Sequence, residues 1–477
     1  MAVFYNEGEN KIRPGVYQRH SNIGLGALVG ARDGIVAIPI QAKWGPLGKV
    51  VKNTGKKALY ATYGTGTLGA GYTVPVAEEV FNAGASTVYT YRMGTGGTAA
   101  TKELVTGITV TAKHVGTAPI SVAVQAKIGD ATIKEFLVYF GTTQVEKFTF
   151  AADTKAEGAN LVKAASESKY VTVEATPSGT LPTTVQAVAV ADGALEGGQD
   201  PTVTNADYSA AFNAFEPYYY NTITLDVDDD ENLTLSLLLQ SYIDNAYLTG
   251  KLCVGVVGEK TSVDFEKRKA HAIAFNDAKM VYLGGGFKAG SVNKDGVLSI
   301  ARTAGVIAAT PSSQGITHLP IRGATELCEA LTYVQYEEAI QAGMLLLSMS
   351  PDGTVWYDSG INTLVTPDAE TQDDGWKKIR RTKTRFEIID RLDRVLLPKV
   401  GRISNDSDGV ADVIQSAQRV LDAMAGTERK LFPGATIVAD PDNPFTADSA
   451  WFIIQADDID SMEKIYLQYQ FRYSQNV

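Results

Sequence analysis

Strand-like and helix-like segments alternate between residues 222 and 309, and this order constrains the fold more than any other feature of the chain. The strands are predicted at Thr222–Val227, Leu252–Val257 and Lys279–Leu283. A helical pattern follows each of them, and these helices are predicted at Leu233–Leu248, Val263–Ala274 and Val297–Ala309. Such alternation indicates a mostly parallel sheet covered by helices on both faces.

The segments before this region predict two further kinds of structure. A strand at Gly34–Ile40, a helix near Val76–Asn82 and a strand at Thr87–Arg92 precede a glycine-rich linker at 94–100. From about residue 102 to 190, short strands alternate with Gly and Pro turns, and one helix is predicted at Gly158–Ser168. This pattern is typical of a small β-sandwich or barrel inserted into the chain.

The segments after the α/β region predict a hairpin and an α+β unit. Met344–Ser348 and Thr354–Tyr357 flank a Pro-Asp-Gly turn, which indicates the hairpin. Two amphipathic helices and two strands follow it, at Phe386–Leu396, Val410–Met424, Thr436–Ala439 and Trp451–Gln455.

Within the last fourteen residues, 464–477, the side chains from Ile465 to Ser474 alternate between a large apolar face and a second face that carries Tyr466, Gln468, Gln470, Arg472 and Ser474. One face of the predicted strand carries five large apolar residues, which are Ile465, Leu467, Tyr469, Phe471 and Tyr473. A terminal strand with an apolar face must pair with another strand, since an open edge recruits other chains. The partner is either the protein's own sheet or a neighbouring subunit that accepts the strand by addition.

Composition excludes several classes of protein. The net charge of −11 argues against a general nucleic-acid binder, and no stretch of the sequence is apolar for long enough to insert into a membrane. The two cysteines lie in apolar surroundings, so we expect them to be reduced and to serve in packing. The four histidines lack the spacing of metal ligands. We therefore predict no cofactor and no metal.

Two motifs suggest ligands but fit poorly. Gly284-Gly285-Gly286 follows a predicted strand as a dinucleotide-binding loop does, yet a second turn delays the next helix, which favours a plain loop. The acidic run from Asp226 to Glu231 lacks the spacing of a calcium-binding loop. A strand end followed by acids at a helix N-terminus explains it better.

A basic run between Trp376 and Phe386 stands out in this acidic chain. Its six cations are Lys377, Lys378, Arg380, Arg381, Lys383 and Arg385. Such runs are usually solvated faces, and the alternatives are contact with an acidic partner or neighbour and, least favoured, contact with nucleic acid.

Seven segments carry recognisable motifs: Arg13-Pro14-Gly15-Val16-Tyr17, 104–124, the loop at 195–200, 304–311, 331–332, 359–364 and 438–444. Taken in this order, they resemble the motifs of contractile-tail sheath proteins of myophages, R-type bacteriocins and related injection systems. The loop at 195–200 departs from the family's GGxDG-like form, since position 199 is Gln, and no role is assigned to it.

The resemblance implies a fold and a division into domains. The fold is α/β multidomain, with a subtilisin-like doubly wound domain, an inserted β-sandwich and a C-terminal α+β domain. The expected segments are an N-terminal arm (1–20), an N-terminal α/β segment (21–100), the sandwich (101–192), the subtilisin-like domain (193–365), the α+β domain (366–463) and a C-terminal strand arm (464–477).

The resemblance also implies a non-enzymatic function in a phage or phage-tail-like particle assembled in the bacterial cytoplasm. Subunits form stacked hexameric rings around a tail tube, with baseplate and tail terminator proteins as further partners. Both arms add strands to neighbouring subunits, so Arg13, Pro14, Val16 and Tyr17 are candidate contacts along with the apolar face of the C-terminal strand. The basic run is a candidate contact with the tube or a neighbour. The alternatives are a hydrolase on the α/β domain and another structural protein of the same particle.

Overall fold

The computed structural model describes residues 30–152, 155–177, 179–228, 233–443 and 445–471, together with the backbone of two short strands near the N-terminus. The strands in chain order are β1 (Val3–Phe4), β2 (Tyr17–Gln18), β3 (Ile35–Ile40), β4 (Val50–Asn53), β5 (Thr87–Arg92), β6 (Thr101–Val105), β7 (Ile108–Ala112), β8 (Ile120–Lys127), β9 (Asp130–Phe140), β10 (Thr143–Ala151), β11 (Val171–Ala175), β12 (Thr222–Thr224), β13 (Val254–Gly258), β14 (Met280–Leu283), β15 (Phe287–Ala289), β16 (Val292–Lys294), β17 (Glu326–Leu327), β18 (Met344–Leu345), β19 (Leu347–Met349), β20 (Val355–Tyr357), β21 (Thr436–Ala439) and β22 (Phe452–Gln455). The α-helices are α1 (Lys56–Tyr63), α2 (Val74–Asn82), α3 (Glu157–Ala164), α4 (Asn205–Phe215), α5 (Thr234–Leu248), α6 (Phe265–Phe275), α7 (Val297–Ala309), α8 (Tyr333–Gln341), α9 (Ile379–Leu396) and α10 (Ser407–Ala425), and short 3-10 turns occupy Ala165–Glu167, Asp374–Lys377 and Leu397–Lys399.

A seven-stranded sheet in the order β18-β14-β13-β12-β3-β5-β4 forms the centre of the molecule. All neighbouring pairs are parallel except β4 and β5, which are antiparallel. Val36, Ile38 and Ile40 of β3 pack with apolar residues of α1, α2 and α7 on one face. Ala37 of the same strand packs with residues of α4, α5 and α6 on the other face. Successive side chains of a strand point to opposite faces, so helices cover both sides of this sheet, as the alternating pattern predicted.

The inserted region contains two three-stranded antiparallel sheets, β10-β9-β8 and β11-β7-β6. Their inner faces share one core that includes Val110, Val122, Phe136 and Val171, and Leu161 of α3 closes it. Two antiparallel chain segments, 95–101 and 196–202, connect this region to the central sheet through bridges such as Thr95 to Thr202. We call these two segments the neck.

The buried Arg92 fixes the base of the neck. Its guanidinium donates hydrogen bonds to the carbonyl oxygens of Ala42, Gly45 and Val115 at 2.7, 2.8 and 2.9 Å. Val115 belongs to the inserted region, whereas the other two acceptors follow β3. One side chain therefore holds both units together.

Helices α9 and α10 pack against the two-stranded sheet β21–β22 in the C-terminal part. Leu392 of α9, Leu421 and Met424 of α10 and Ile437 of β21 are buried in one cluster. The opposite end of α9 belongs to a different core, because its residues Ile379 and Phe386 pack with side chains of the central sheet. Helix α9 thus lies across the boundary between the two cores.

The structure corrects several predicted boundaries. The helix predicted at Phe386–Leu396 begins at Ile379, whose buried side chain already belongs to the helix's apolar face, so most of the basic run is helical. The strand predicted at Thr222–Val227 ends at Thr224. Helices α1, α4 and α8 and strands β4, β15, β16 and β17 were not predicted.

Candidate assembly surfaces

The C-terminal arm, which the structure describes over 464–471, forms no strand within the subunit. The side chains of Ile465, Leu467, Tyr469 and Phe471 are 71, 70, 73 and 93% exposed. The rings of Tyr469 and Phe471 are stacked, with centroids 6.2 Å apart and planes inclined by 11°, so these alternate residues share one side of the chain. The predicted apolar face is thus present and uncovered, and Tyr473 lies outside the described residues.

An acidic segment precedes the arm and binds the helix that carries the basic run. We call residues 457–463 the acidic root. Asp458 accepts hydrogen bonds from Arg381 Nε at 2.6 Å and from Arg385 Nη2 at 3.2 Å. Lys378 forms ion pairs with Glu463 and, at 3.6 Å, with Asp460. The root is therefore fixed at both of its ends to the first turns of α9.

Charge complementarity explains this contact. Cations at a helix N-terminus oppose the helix dipole, so the basic start of α9 requires nearby anions. Burial tends to raise the pKa of Asp458, but the hydrogen bond from Arg381 and the charges of Arg381 and Arg385 hold that pKa below its usual range. Asp373 also has a lowered pKa, because Arg385 donates to its carboxylate.

The six predicted cations all have partners within the subunit. Besides the pairs already described, Lys377 contacts Asp374, Arg380 donates to Ser461 Oγ, and Lys383 donates to the carbonyl oxygens of Ile307 and Thr310. Burial lowers the pKa of Lys383 to about 8. The run is therefore not a freely solvated face, and contact of these residues with a tube or neighbour stays a prediction.

The two-stranded sheet β21–β22 exposes apolar side chains. Val438, Trp451, Ile453 and Ile454 are 46, 40, 37 and 41% exposed. Among the described residues, no further strand pairs with either of its edges. Exposed apolar residues on an open edge are the combination that favours pairing with a strand from another chain.

The N-terminal candidates lie mostly outside the described residues. Arg13, Pro14 and Val16 fall there, whereas Tyr17 begins β2, whose backbone pairs in parallel with β1. The assignment of these four residues to an inter-subunit arm stays a prediction.

The other motifs have structural explanations. A Cβ atom on Gly284 would lie 2.4 Å from Met344 Sδ, and one on Gly286 would lie 2.3 Å from Asp295 Oδ1, so close packing requires these glycines. Asp226 is buried and accepts hydrogen bonds from Thr73 Oγ1 at 2.6 Å and Tyr208 at 2.8 Å. Within the part of the chain that the structure describes, no cluster of His, Cys, Asp and Glu is arranged for a metal, and no helix has the length and apolarity to cross a membrane.

Comparison with known proteins points to one family. The family model described as the phage tail sheath protein central domain matches residues 202–363, and the phage tail sheath protein beta-sandwich domain matches residues 95–200. The chain is 25% identical over 373 residues to the uncharacterized protein YqbK of Bacillus subtilis strain 168. This alignment covers 77% of the present chain and 76% of YqbK. The chain is 24% identical over 431 residues to the phage-like element PBSX protein XkdK of the same strain, covering 87% and 85%.

Solved structures share the fold. A sheath tail protein from Desulfitobacterium hafniense superposes with a TM-score of 0.73 at 21% identity, covering 95% of this chain and 99% of that chain. A sheath tail protein from Listeria innocua gives a TM-score of 0.68 at 20% identity, covering 90% and 96%. The helical sheath of the anti-feeding prophage in its contracted state gives 0.53 at 10% identity, covering 97% and 99%.

Proposed function

Because this chain belongs to the phage tail sheath protein family, we propose that it polymerises around a tail tube and shortens to drive that tube through a bacterial envelope. The chain is a structural subunit of a tail sheath. Contraction needs no catalytic group in this scheme, since the stored energy is the difference between two packings of the same subunits. The expected partners are other copies in stacked hexameric rings, the tube protein, the baseplate and the tail terminator, with no nucleic acid, membrane insertion or cofactor.

The observation that carries this proposal is the uncovered C-terminal arm. Its apolar face is 70% exposed or more at each of four alternate residues, and single subunits rarely leave so much adjacent apolar surface in water. The sheet β21–β22 offers open edges and exposed apolar residues of the matching kind. We infer that the arm of one subunit pairs with this sheet of a neighbour by strand addition.

Backbone pairing suits a sheath that changes length. A hydrogen-bonded strand ladder holds two subunits together while the bodies connected to it rotate, so the polymer remains joined in both packings. The domain boundaries and the subtilisin-like doubly wound topology predicted above are part of this proposal. The inserted sandwich is expected to decorate the outside of the sheath.

Removal of residues 464–477 tests the proposal most directly. The truncated chain is expected to remain soluble and folded and to form no cylinders by negative-stain electron microscopy, whereas the full chain forms hollow cylinders. Replacement of the exposed Ile454 and Val438 by Thr is expected to weaken assembly, because it removes apolar surface from the receiving sheet while keeping β-branched side chains in its strands. Full-length protein that stays monomeric, or a hydrolase panel that finds sustained turnover, would contradict the proposed function.

A further inference from the structure

The segment that leads out of the N-terminal region is attached to the same helix as the acidic root. Arg394 Nη2 donates to the carbonyl oxygen of Gly30 at 2.8 Å, and Arg32 pairs with Asp390. Arg394 also pairs with Asp390 at 2.7 Å, so the carboxylate lies between two guanidinium groups. The guanidinium carbon of Arg32 lies 3.4 Å from the centroid of the Tyr219 ring, which gives the side chain a third fixed contact.

Helix α9 is itself firmly held. Arg391 pairs with Glu428 at 2.6 Å and with Glu387, and Lys430 pairs with Glu387 at 2.7 Å, with Arg391 and Lys430 almost fully buried. Lys383 donates to carbonyl oxygens at the end of α7, and Phe386 packs into the central core. Buried and mutually hydrogen-bonded pairs of this kind fix a geometry, because any displacement leaves a charge without its partner.

We propose that helix α9 is the shared anchor of both arms, and that Asp458 and Asp390 are the residues that position them. Asp458 is bound by Arg381 and Arg385 in the first half of the helix, and Asp390 binds Arg32 in its second half. Nine residues separate Arg381 from Asp390, which corresponds to about 14 Å along a helix. The inference rests on the proposed function and deepens it, since it names the element through which the two arms are connected.

Helix α9 then transmits mechanical force between the two arms. Tension that enters a subunit through a neighbour bound to one arm passes into the acidic root, along α9 and out through the segment at residues 30–32. The inserted sandwich lies outside this route, whereas the central sheet borders it, because residues 30–32 continue into β3 and Phe386 of α9 packs into the central core. Each step of it is an ion pair or a charge-assisted hydrogen bond, and these are stronger than neutral hydrogen bonds.

The test compares the full-length protein with Asp458→Asn, Asp390→Asn, the conservative Asp458→Glu and a control, Glu326→Gln. Glu326 forms an exposed ion pair with Lys288 at 2.9 Å, far from either arm in sequence. Hydrogen–deuterium exchange of soluble subunits is measured over 456–463 and 30–35. Cylinders formed by each variant are then sheared, and their lengths are measured by electron microscopy.

Asp458→Asn is expected to increase exchange in 456–463 about tenfold, and Asp390→Asn to do the same in 30–35, because each removes a charge-assisted contact. Asp458→Glu and Glu326→Gln are expected to match wild type. Sheared cylinders of the two Asn variants are expected to be shorter at an unchanged melting temperature. Unchanged exchange in both Asn variants, or wild-type cylinder lengths despite faster exchange, would overturn the proposal. Wild-type protein that forms no cylinders refutes the proposed function instead, and the exchange data then still decide whether α9 anchors both segments.

Discussion

Replacement of the apolar face of the C-terminal arm by serine should abolish assembly while leaving the subunit folded. The variant carries Ile465→Ser, Leu467→Ser, Tyr469→Ser and Phe471→Ser. Within the subunit these side chains are 70–93% exposed, so their covered fractions amount to roughly one side chain, worth at most about 3 kcal/mol. The exposed fractions of the same four side chains amount to roughly three side chains. Their burial against a neighbouring subunit contributes about 5–9 kcal/mol before the costs of association are subtracted.

Two measurements separate the effect on assembly from the effect on the stability of the subunit. Sedimentation gives the concentration at which polymers appear, and a loss of about 4 kcal/mol per arm raises it roughly a thousandfold. Calorimetry gives the melting temperature, which is expected to fall by only a few degrees. The matched control, Gln468→Ser with Gln470→Ser on the opposite face, should assemble as wild type does. Unfolding of the apolar-face variant would mean that the arm is a core strand of its own subunit, and normal assembly would refute strand addition.

Three further predictions concern buried groups. Burial raises the pKa of Asp226 from 3.8 to about 6, so between these values the folded protein retains a proton that the unfolded chain has released. As the pH rises from about 4 to about 6, the free energy of unfolding of wild type, measured by calorimetry, should therefore fall by on the order of 3 kcal/mol relative to that of Asp226→Asn. Gly116→Ala should lower the free energy of unfolding, measured by urea titration, by at least about 2 kcal/mol, because the φ of Gly116 is +130° and a Cβ there would lie 2.1 Å from a carbonyl oxygen. The control Gly129→Ala, with φ +82° and no atom within 4 Å of the new Cβ, should cost about 1 kcal/mol. Glu79→Ala should cost about 3–5 kcal/mol in urea, since it leaves the buried Arg302 without its carboxylate, and a loss below 1 kcal/mol would contradict this.

The sequence predicted the regular elements well where the apolar pattern is strong. The predicted bounds of α7, β5 and β21 agree with the structure to the residue, because each of these elements packs an apolar face on a core. Helices α4 and α8 were missed, although both begin with a capping box, at Thr204 with Asp207 and at Thr332 with Gln335. That spacing of Thr and Asp or Gln was the available signal.

The basic run shows what a sequence pattern leaves undetermined. Six cations in nine residues indicate an electrostatic contact, but the acidic root lies more than seventy residues away in the chain, at 457–463. Only the fold brings Arg381 and Asp458 together. The apolar face of the arm, by contrast, was predictable, because the period of two in an extended chain fixes which side chains share a side whatever the partner is.

The neck gives the protein a modular architecture. Its two segments run antiparallel, so the chain leaves the central sheet and returns to it at nearly the same point, about 5 Å apart at the spacing of paired strands. An insertion of this geometry adds mass without lengthening any connection inside the body. A foreign domain with adjacent termini, grafted between Thr101 and Glu196, would therefore be displayed in every repeat of the particle, at a density set by the lattice and with the contacts of both arms left intact.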